Sequence, residues 1–345
     1  MARRELTVRE FKDRLRIQSE EKNILLSASI ELTNRCCFSC PHCYMDSKTL
    51  GYVSLSSFER IVTELKNLGC VYLTLTGGEA LLHPEFERMY LFAYGKGFII
   101  SVFSNGFLLD KFIDLFTQYR PYEIDITLYG MDDVSYIQNT GMRAWERVHS
   151  NLVMLKERGI SFSLKASVTY SIYPLLKQME EYAKSLCVTF RGDLYIYLTQ
   201  AQAKCVKRLS PMEISEKLLS NPKYIELERN ALSDGKSECN HLEYSCHPGS
   251  NNIYITWNEM AKMCPFTSDE HAIRIGENGK TIIDARKYLQ SFGCQKISKK
   301  SKCYDCIYIS TCRRCPERFY IETGDYDKPP CWMCEVASRI YDGVL

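Results

Sequence analysis

From residue 28 to 198 the chain switches repeatedly between two hydrophobic periods. Six short runs read as strands: "ASIELT", "VYLTLT", "FIISVFS", "YEIDITLYG", "ISFSLKASVTY" and "CVTFRGDLYIYL". Between them lie segments of helical period. "SLSSFERIVTELKNLG" has serine caps in front and Gly69 behind, and "HPEFERMYLFAYGKG" has Pro84 early and glycine after it. A stretch near 108–118, "AWERVHSNLVMLKERG" and "YPLLKQMEEYAKSL" complete the series. This alternation predicts an α/β fold with a parallel sheet and right-handed crossovers, either an open sheet or a partly closed barrel. In both, chemistry belongs at the C-terminal ends of the strands.

After residue 200 the pattern breaks. Residues 201–235 read as polar helices around "SPMEISEKLLSNPKYIELERN". From 239 onward cysteine, glycine and proline dominate, and one hairpin-like stretch, "NNIYITWNEMAKMC", stands out. So little apolar periodicity calls for a metal scaffold. The expected organisation is an N-terminal helical extension at 1–27, an α/β core at 28–200, a helical linker at 201–238 and a small cysteine-rich domain at 239–345.

Composition narrows the class. The chain has 345 residues, 45% apolar and 25% charged, with a net charge of +2. That is a soluble globular balance, without the one-signed field that would suggest nucleic acid or an anionic membrane as partner. No apolar run is long enough to cross a bilayer. "MARRELTVREFKDRLRIQSEEKN" lacks the apolar segment of a signal peptide and mixes acids with bases, so the expected compartment is the cytoplasm. The outlier is seventeen cysteines. In a reducing compartment, clustered thiols point to metal rather than disulfides.

The first cluster, "CCFSCPHCY", sits directly behind the first strand. Cys36, Cys40 and Cys43 are spaced C-x3-C-x2-C. Three thiolates can hold three irons of a [4Fe–4S] cube and leave the fourth open, which distinguishes a catalytic metal site from a structural one. A zinc site completed by Cys37 or His42 is the alternative.

"CCFSCPHCY" resembles the signature of the radical S-adenosylmethionine (SAM) enzymes, and further motifs follow in that family's order. "TGGEALLHPEF" resembles its Gly-Gly-Glu element, which assigns Gly77, Gly78 and Glu79 to the methionine amino group. "SNG" at 104–106 and "TLYG" at 127–130 resemble its ribose and carboxylate contacts, which implies Ser104, Asn105 and Thr127. Tyr44 matches the aromatic residue beside adenine, and Lys165 is a candidate for the SAM carboxylate. The resemblance implies a partial (β/α)6 TIM-like barrel. It also implies one SAM-binding [4Fe–4S] cluster, a low-potential electron donor such as flavodoxin or ferredoxin, and reductive cleavage of SAM to a 5′-deoxyadenosyl radical that abstracts a substrate hydrogen atom. In such chemistry the cofactor does the difficult step; the protein orients and excludes water.

The later cysteines resemble the SPASM module, a small, loop-rich, cysteine-ligated iron–sulfur domain. Paired zinc ribbons are the alternative from spacing alone. Carried over, the pattern implies two auxiliary [4Fe–4S] clusters, one on Cys239, Cys246, Cys264 and Cys315, the other on Cys303, Cys306, Cys312 and Cys331. The final gap is x2 where the module has x3, which leaves Cys334 as the competitor of Cys331, and Glu259 stands where the hairpin has glycine. Of the remaining cysteines most are expected to be buried small hydrophobes, and Cys37 a dispensable spacer. Cys205 is also a candidate substrate-facing thiol. Asp193 is a candidate base or substrate contact, since alternation points it into the barrel. The resemblance favours a ribosomally made peptide or a protein as substrate. With 35 residues before Cys36, either a separate recognition protein delivers it or the barrel mouth binds it. A tetrapyrrole or other small molecule is the competing substrate, and a non-catalytic electron-transfer or sensor protein the competing class.

Overall fold

The computed structural model describes residues 14–345 apart from 16, 20, 46–48, 234–243, 245, 247 and 248. Cys239 lies outside the described residues. Six parallel strands form the centre: β1 (Ser27–Thr33), β2 (Tyr72–Gly77), β3 (Ile99–Ser104), β4 (Glu123–Thr127), β5 (Phe162–Ser167) and β6 (Phe190–Asp193), each paired with its sequence neighbour. The connecting helices are α1 (Leu55–Asn67), α2 (Phe86–Gly95), α3 (Ile113–Gln118), α4 (Asp133–Thr140), α5 (Trp145–Glu157) and α6 (Leu176–Leu186). This is the partial (β/α)6 barrel that the resemblance implied, and one of the two arrangements that the alternation left open.

Burial along the strands shows how the sheet is used. Ile124 and Ile126 of β4 and Leu164 and Ala166 of β5 are buried, whereas the residues alternating with them are only partly covered. The buried rows meet the helices. The other rows face the hollow of the barrel with polar groups: Asp125 and Thr127 on β4, Lys165 on β5, Asp193 on β6. One helix was not anticipated. Asp132 and Ser135 form a capping box at the start of α4, and Gly141 closes it in the left-handed conformation. Those signals stand in "GMDDVSYIQNTG", but the weak apolar stripe hides them.

The last expected strand is shorter than its apolar run. β6 stops at Asp193; beyond it Tyr197 enters a second, small core with Ile297, Cys303, Phe319 and Met333. The run is apolar because it leaves the sheet to serve that core.

The cysteine-rich region holds more regular structure than its composition suggested. β7 (Asn252–Ile255) pairs in parallel with β1, and β8 (Met260–Lys262) and β9 (Ile273–Arg274) continue antiparallel, so one sheet has the order β6-β5-β4-β3-β2-β1-β7-β8-β9. Helices α7 (Pro211–Leu219) and α8 (Pro222–Ser233) precede it; α9 (Ile282–Gly293), α10 (Pro316–Thr323) and α11 (Cys331–Val344) follow. The amphipathic α11 buries Val336, Ala337, Ile340 and Val344, and Gly343 lets it close on Leu219 of α7. At the β7–β8 turn Glu259 has φ of 65°, a conformation glycine adopts without cost. Its carboxylate accepts from Ser57 Oγ at 2.7 Å and pairs with Arg60, so α1 holds the turn in place of glycine's freedom.

The spare cysteines are mostly not core residues. Only Cys70 is buried; Cys37 is half-buried, and Cys187, Cys205, Cys294 and Cys334 are exposed. Cysteine's preference for interiors is an average, and these positions end helices or sit on loops. Among the described residues no helix is long and apolar enough to cross a membrane.

Cys187 caps α6 with φ of 60°. Cys187→Gly is expected to raise stability by about 0.5–1 kcal/mol, because the left-handed penalty exceeds the entropy cost of glycine. A lower midpoint in calorimetric unfolding would contradict this.

Candidate active site

The loop that leaves β1 carries Cys36, Cys40 and Cys43, and two sets of contacts fix its path. The first is backbone on backbone. The N–H of Gly78 donates to Thr33 O and that of Glu79 to Arg35 O, both at 2.8 Å. A Cβ at Gly77 would stand 2.2 Å from Thr33 O, and one at Gly78 2.4 Å from Arg35 O. Gly77 also has φ of 149°. The pair is glycine because the end of β2 lies directly on the root of the cysteine loop. The second set is aromatic. Phe38 is buried against Phe107, Tyr129 and Tyr136, with ring centroids 5.5–6.2 Å apart, and Ser39 N donates to Thr140 O at 2.9 Å. The sequence reading passed over Phe38; an aromatic inside a polar cysteine loop was the available signal.

Glu79 is 1% exposed. Its Oε1 accepts from Leu81 N at 3.2 Å and Ser104 Oγ at 3.0 Å, its Oε2 from Asn105 N at 2.7 Å. It therefore ties the ends of β2 and β3 together. Burial pushes its carboxyl up to about 7. Asn105 is buried, and its Nδ2 points at the sulfurs of Cys37 at 3.2 Å and Cys36 at 3.6 Å. Gly77, Gly78, Glu79, Ser104 and Asn105 thus converge on the cysteine loop.

The three thiols feel one another. Cys40 is pushed up to about 12, first by burial and then by the charges of Cys43 and Cys36. Cys43 is raised by burial first and also by Cys36. Cys36 is lowered to about 7, chiefly by a hydrogen bond with Cys37. Sulfurs that resist joint ionisation are a donor set suited to a cationic centre, which deprotonates its thiol ligands outright. Among the described residues no three His, Cys, Asp or Glu side chains come together tightly enough for a single metal ion. A four-iron cube is larger and spreads its ligands, so the donor set fits it.

The remaining expected contacts are more dispersed. Thr127 ends β4 beside Lys165 of β5. Lys165 is engaged by Asp125 at 3.2 Å and lies 3.8 Å from the Phe103 ring centroid. Tyr44 is 45% exposed, with its ring 5.4 Å from Phe266. Asp193 is exposed and accepts from Tyr195 N at 3.1 Å. Cys205 follows the 3-10 turn Gln202–Lys204. A cavity of about 790 Å³ opens beside the loop, lined by Cys43 and Tyr44 on one wall and by Lys262, Pro265 and Phe266 on another.

The later cysteines fall into two groups. Cys246 is pushed up to about 12 by burial and then by Cys315 and Cys264. Cys312 is pushed up to about 12 by burial and then by Cys303, Cys334 and Cys306. Cys315 therefore stands with Cys246 and Cys264, although Cys312 is its near neighbour in sequence. Cys334 is raised by burial first and then by Cys303, Cys306 and Cys331, so Cys334, in the first turn of α11, lies near the second group. Glu317, 1% exposed, organises the first group: it accepts from Tyr244 Oη, Ser268 N and His271 Nδ1 at 2.9–3.2 Å.

Residues 30–187 match the family model "Radical SAM superfamily". Over 95 residues it is 35% identical to the antilisterial bacteriocin subtilosin biosynthesis protein AlbA of Bacillus subtilis, covering 27% of this chain and 21% of that protein. It is 20% identical over 337 residues to an AdoMet-dependent heme synthase of Methanosarcina barkeri, covering 87% and 94%. The chain spans only 21%, 31% and 41% of the first three curated relatives it matches. In fold it resembles anSMEcpe with bound AdoMet, at TM-score 0.71, 15% identity and coverage of 92% and 96%. It also resembles Streptococcus suis SuiB bound to precursor peptide SuiA, at 0.67, 13%, 95% and 82%.

Gly78→Ala is expected to displace the cysteine loop, since backbone cannot retreat as a side chain can. It should cost about 1–3 kcal/mol and lower iron retention, read by calorimetry and iron assay. Glu79 gives a pH signature. Its folded value of about 7 lies above the ordinary 4.5, so its contribution is full below 4.5 and is lost as pH rises through 7. In the metal-free chain that component of the pH–stability curve should be missing from Glu79→Gln; identical curves would refute it.

Proposed function

We propose that the chain is a radical SAM enzyme that modifies a ribosomally synthesised peptide or a protein. The observation that carries the reading is the convergence of the Cys36/Cys40/Cys43 loop with Gly77–Glu79 and Ser104–Asn105 at the strand ends of one barrel. Cys36, Cys40 and Cys43 would hold a [4Fe–4S] cluster, which together with SAM would supply radical hydrogen-abstraction chemistry. The protein's own residues then have distinct tasks. Gly77 and Gly78 let backbone approach the loop. Glu79 and Asn105 hold its rim, and Glu79 offers its carboxylate to the SAM amino group. Tyr44 flanks adenine, and Thr127 and Lys165 serve the ribose and carboxylate, with Asp125 holding Lys165 until SAM arrives.

Cys246, Cys264 and Cys315, with Cys239, hold one auxiliary cluster; Cys303, Cys306 and Cys312, with a cysteine of α11, hold another. The position of Cys334 makes it the equal of Cys331 as last ligand. Electrons come from a low-potential donor such as flavodoxin or ferredoxin. A peptide substrate is supported by the likeness to AlbA, a bacteriocin biosynthesis protein, and by the fold shared with SuiB. The near full-length alignment with a heme synthase favours a tetrapyrrole as the second reading.

Anaerobically reconstituted protein is expected to hold about twelve irons, three cubes of four, and to release 5′-deoxyadenosine from SAM under reduction. A Cys36/Cys40/Cys43 triple alanine variant should lose one cube and all SAM cleavage. Stoichiometric zinc in place of iron would sink the scheme. Comparing 5′-deoxyadenosine release with candidate peptides and with porphyrinogens separates the two substrates.

A further inference from the structure

We propose that the cavity beside the cysteine loop is a substrate pocket and that Glu31 anchors in it the ammonium or guanidinium group of a basic side chain. The inference takes only the peptide nature of the occupant from the reading above. Glu31 belongs to none of the motifs that pointed to SAM. β1 carries it on the row that faces the barrel hollow, where its side chain is 4% exposed and yet lines the 790 Å³ cavity.

Its two oxygens are under-used. Oε1 accepts from Tyr254 Oη at 2.6 Å; among the described residues Oε2 has only the Trp257 N–H at 3.5 Å. A carboxylate has room for about four donors. No cation among the described residues forms an ion pair with it, and the charge of Lys262 offsets only part of the effect of burial. Lys262, which also lines the cavity, is taken by Asp269 at 2.7 Å and by Thr267 O at 3.0 Å. A buried carboxylate without a cation is costly, and burial raises its proton affinity here. A ligand cation would relieve that cost. Trp257, an aromatic residue of the lining, gives the stem and charge of such a side chain a surface to lie on. Trp257 is itself fixed against Gly51, where a Cβ would fall 2.0 Å from its ring.

A bland role exists: Glu31 could serve only to pin the β7–β8 hairpin through Tyr254 and Trp257. Two variants separate the roles. Glu31→Gln keeps an acceptor for Tyr254 and removes the charge. Tyr254→Phe removes the hairpin bond and keeps the charge.

The test uses the full chain, reconstituted anaerobically with its clusters and SAM. The probes are an acetylated, amidated pentapeptide with lysine between paired glycines and the same peptide with norleucine. Binding is read by isothermal titration calorimetry. The wild type should bind the lysine peptide about tenfold tighter or more, the scale of one desolvated charge contact. Glu31→Gln should erase the difference with iron content and SAM affinity intact, and Tyr254→Phe should keep it. Equal affinity for the two peptides in the wild type overturns the inference, as does undiminished preference in Glu31→Gln. So does an equal loss in Tyr254→Phe, or loss of SAM binding in Glu31→Gln. Absence of 5′-deoxyadenosine release from the same wild-type preparation would defeat the proposed function instead, while the binding comparison still reads on Glu31.

Discussion

The site rests on a contact between two stretches of backbone. Thr33 O and Arg35 O each accept an N–H from the end of β2, at Gly78 and Glu79. The approach is so close that neither Gly77 nor Gly78 has room for a Cβ. A cysteine loop on its own is a poor ligand set, because three thiols that repel each other as they ionise have no reason to stay together. Fastening the loop at its root to the adjacent strand, and at Phe38 to the aromatic group beyond β4, imposes the arrangement before any metal binds. Without the glycine contact, Glu79 would not reach Leu81, Ser104 and Asn105 together. The ends of β1, β2 and β3 therefore act as one unit.

That unit explains why Glu79 is in the interior. A carboxylate there would be expensive if it were alone. Three donors from two strand ends offset the cost, two of them backbone N–H groups that nothing else satisfies. The same residue is both a structural clamp and the group proposed to meet SAM, and the two roles are compatible because a carboxylate accepts more than three hydrogen bonds.

Much of this was legible in the chain. Period switching located β1 to β5 within a few residues, since each buries one row of apolar side chains, and on β4 and β5 the alternate row is polar. The cysteine spacing and "GGE" marked residues that the fold brings together, because the constraint on the glycines is local: glycine stands where backbone must touch backbone. What stayed hidden is what depends on distant partners. Phe38 looks like a spacer until Phe107, Tyr129 and Tyr136 surround it. The run "LYIYL" looks like strand until Tyr197 is seen in another core. Glu317 is one acid among many until Tyr244, Ser268 and His271 converge on it. The exposed cysteines were misjudged for the same reason: burial belongs to a position, and composition carries only an average.

The β7–β8 hairpin bears most on function. By pairing β7 with β1, the chain builds the cysteine-rich region onto the barrel sheet itself rather than tethering it by a linker. The register is then fixed: Ser29 faces Tyr254, and Glu31, two residues along on the same face, receives Tyr254's hydroxyl. The β7–β8 turn is in turn held to α1 by Glu259, a residue kept in a left-handed conformation by Ser57 and Arg60. The distance of Pro265 and Phe266, just beyond β8, from Cys43, with which they line one cavity, is thereby set by the sheet. A flexible join would let that distance drift. A shared sheet cannot, because slipping β7 by one residue would turn Tyr254 away from Glu31 and Ile255 out of the core. The wall that Lys262, Pro265 and Phe266 give the cavity is thus positioned by strand register.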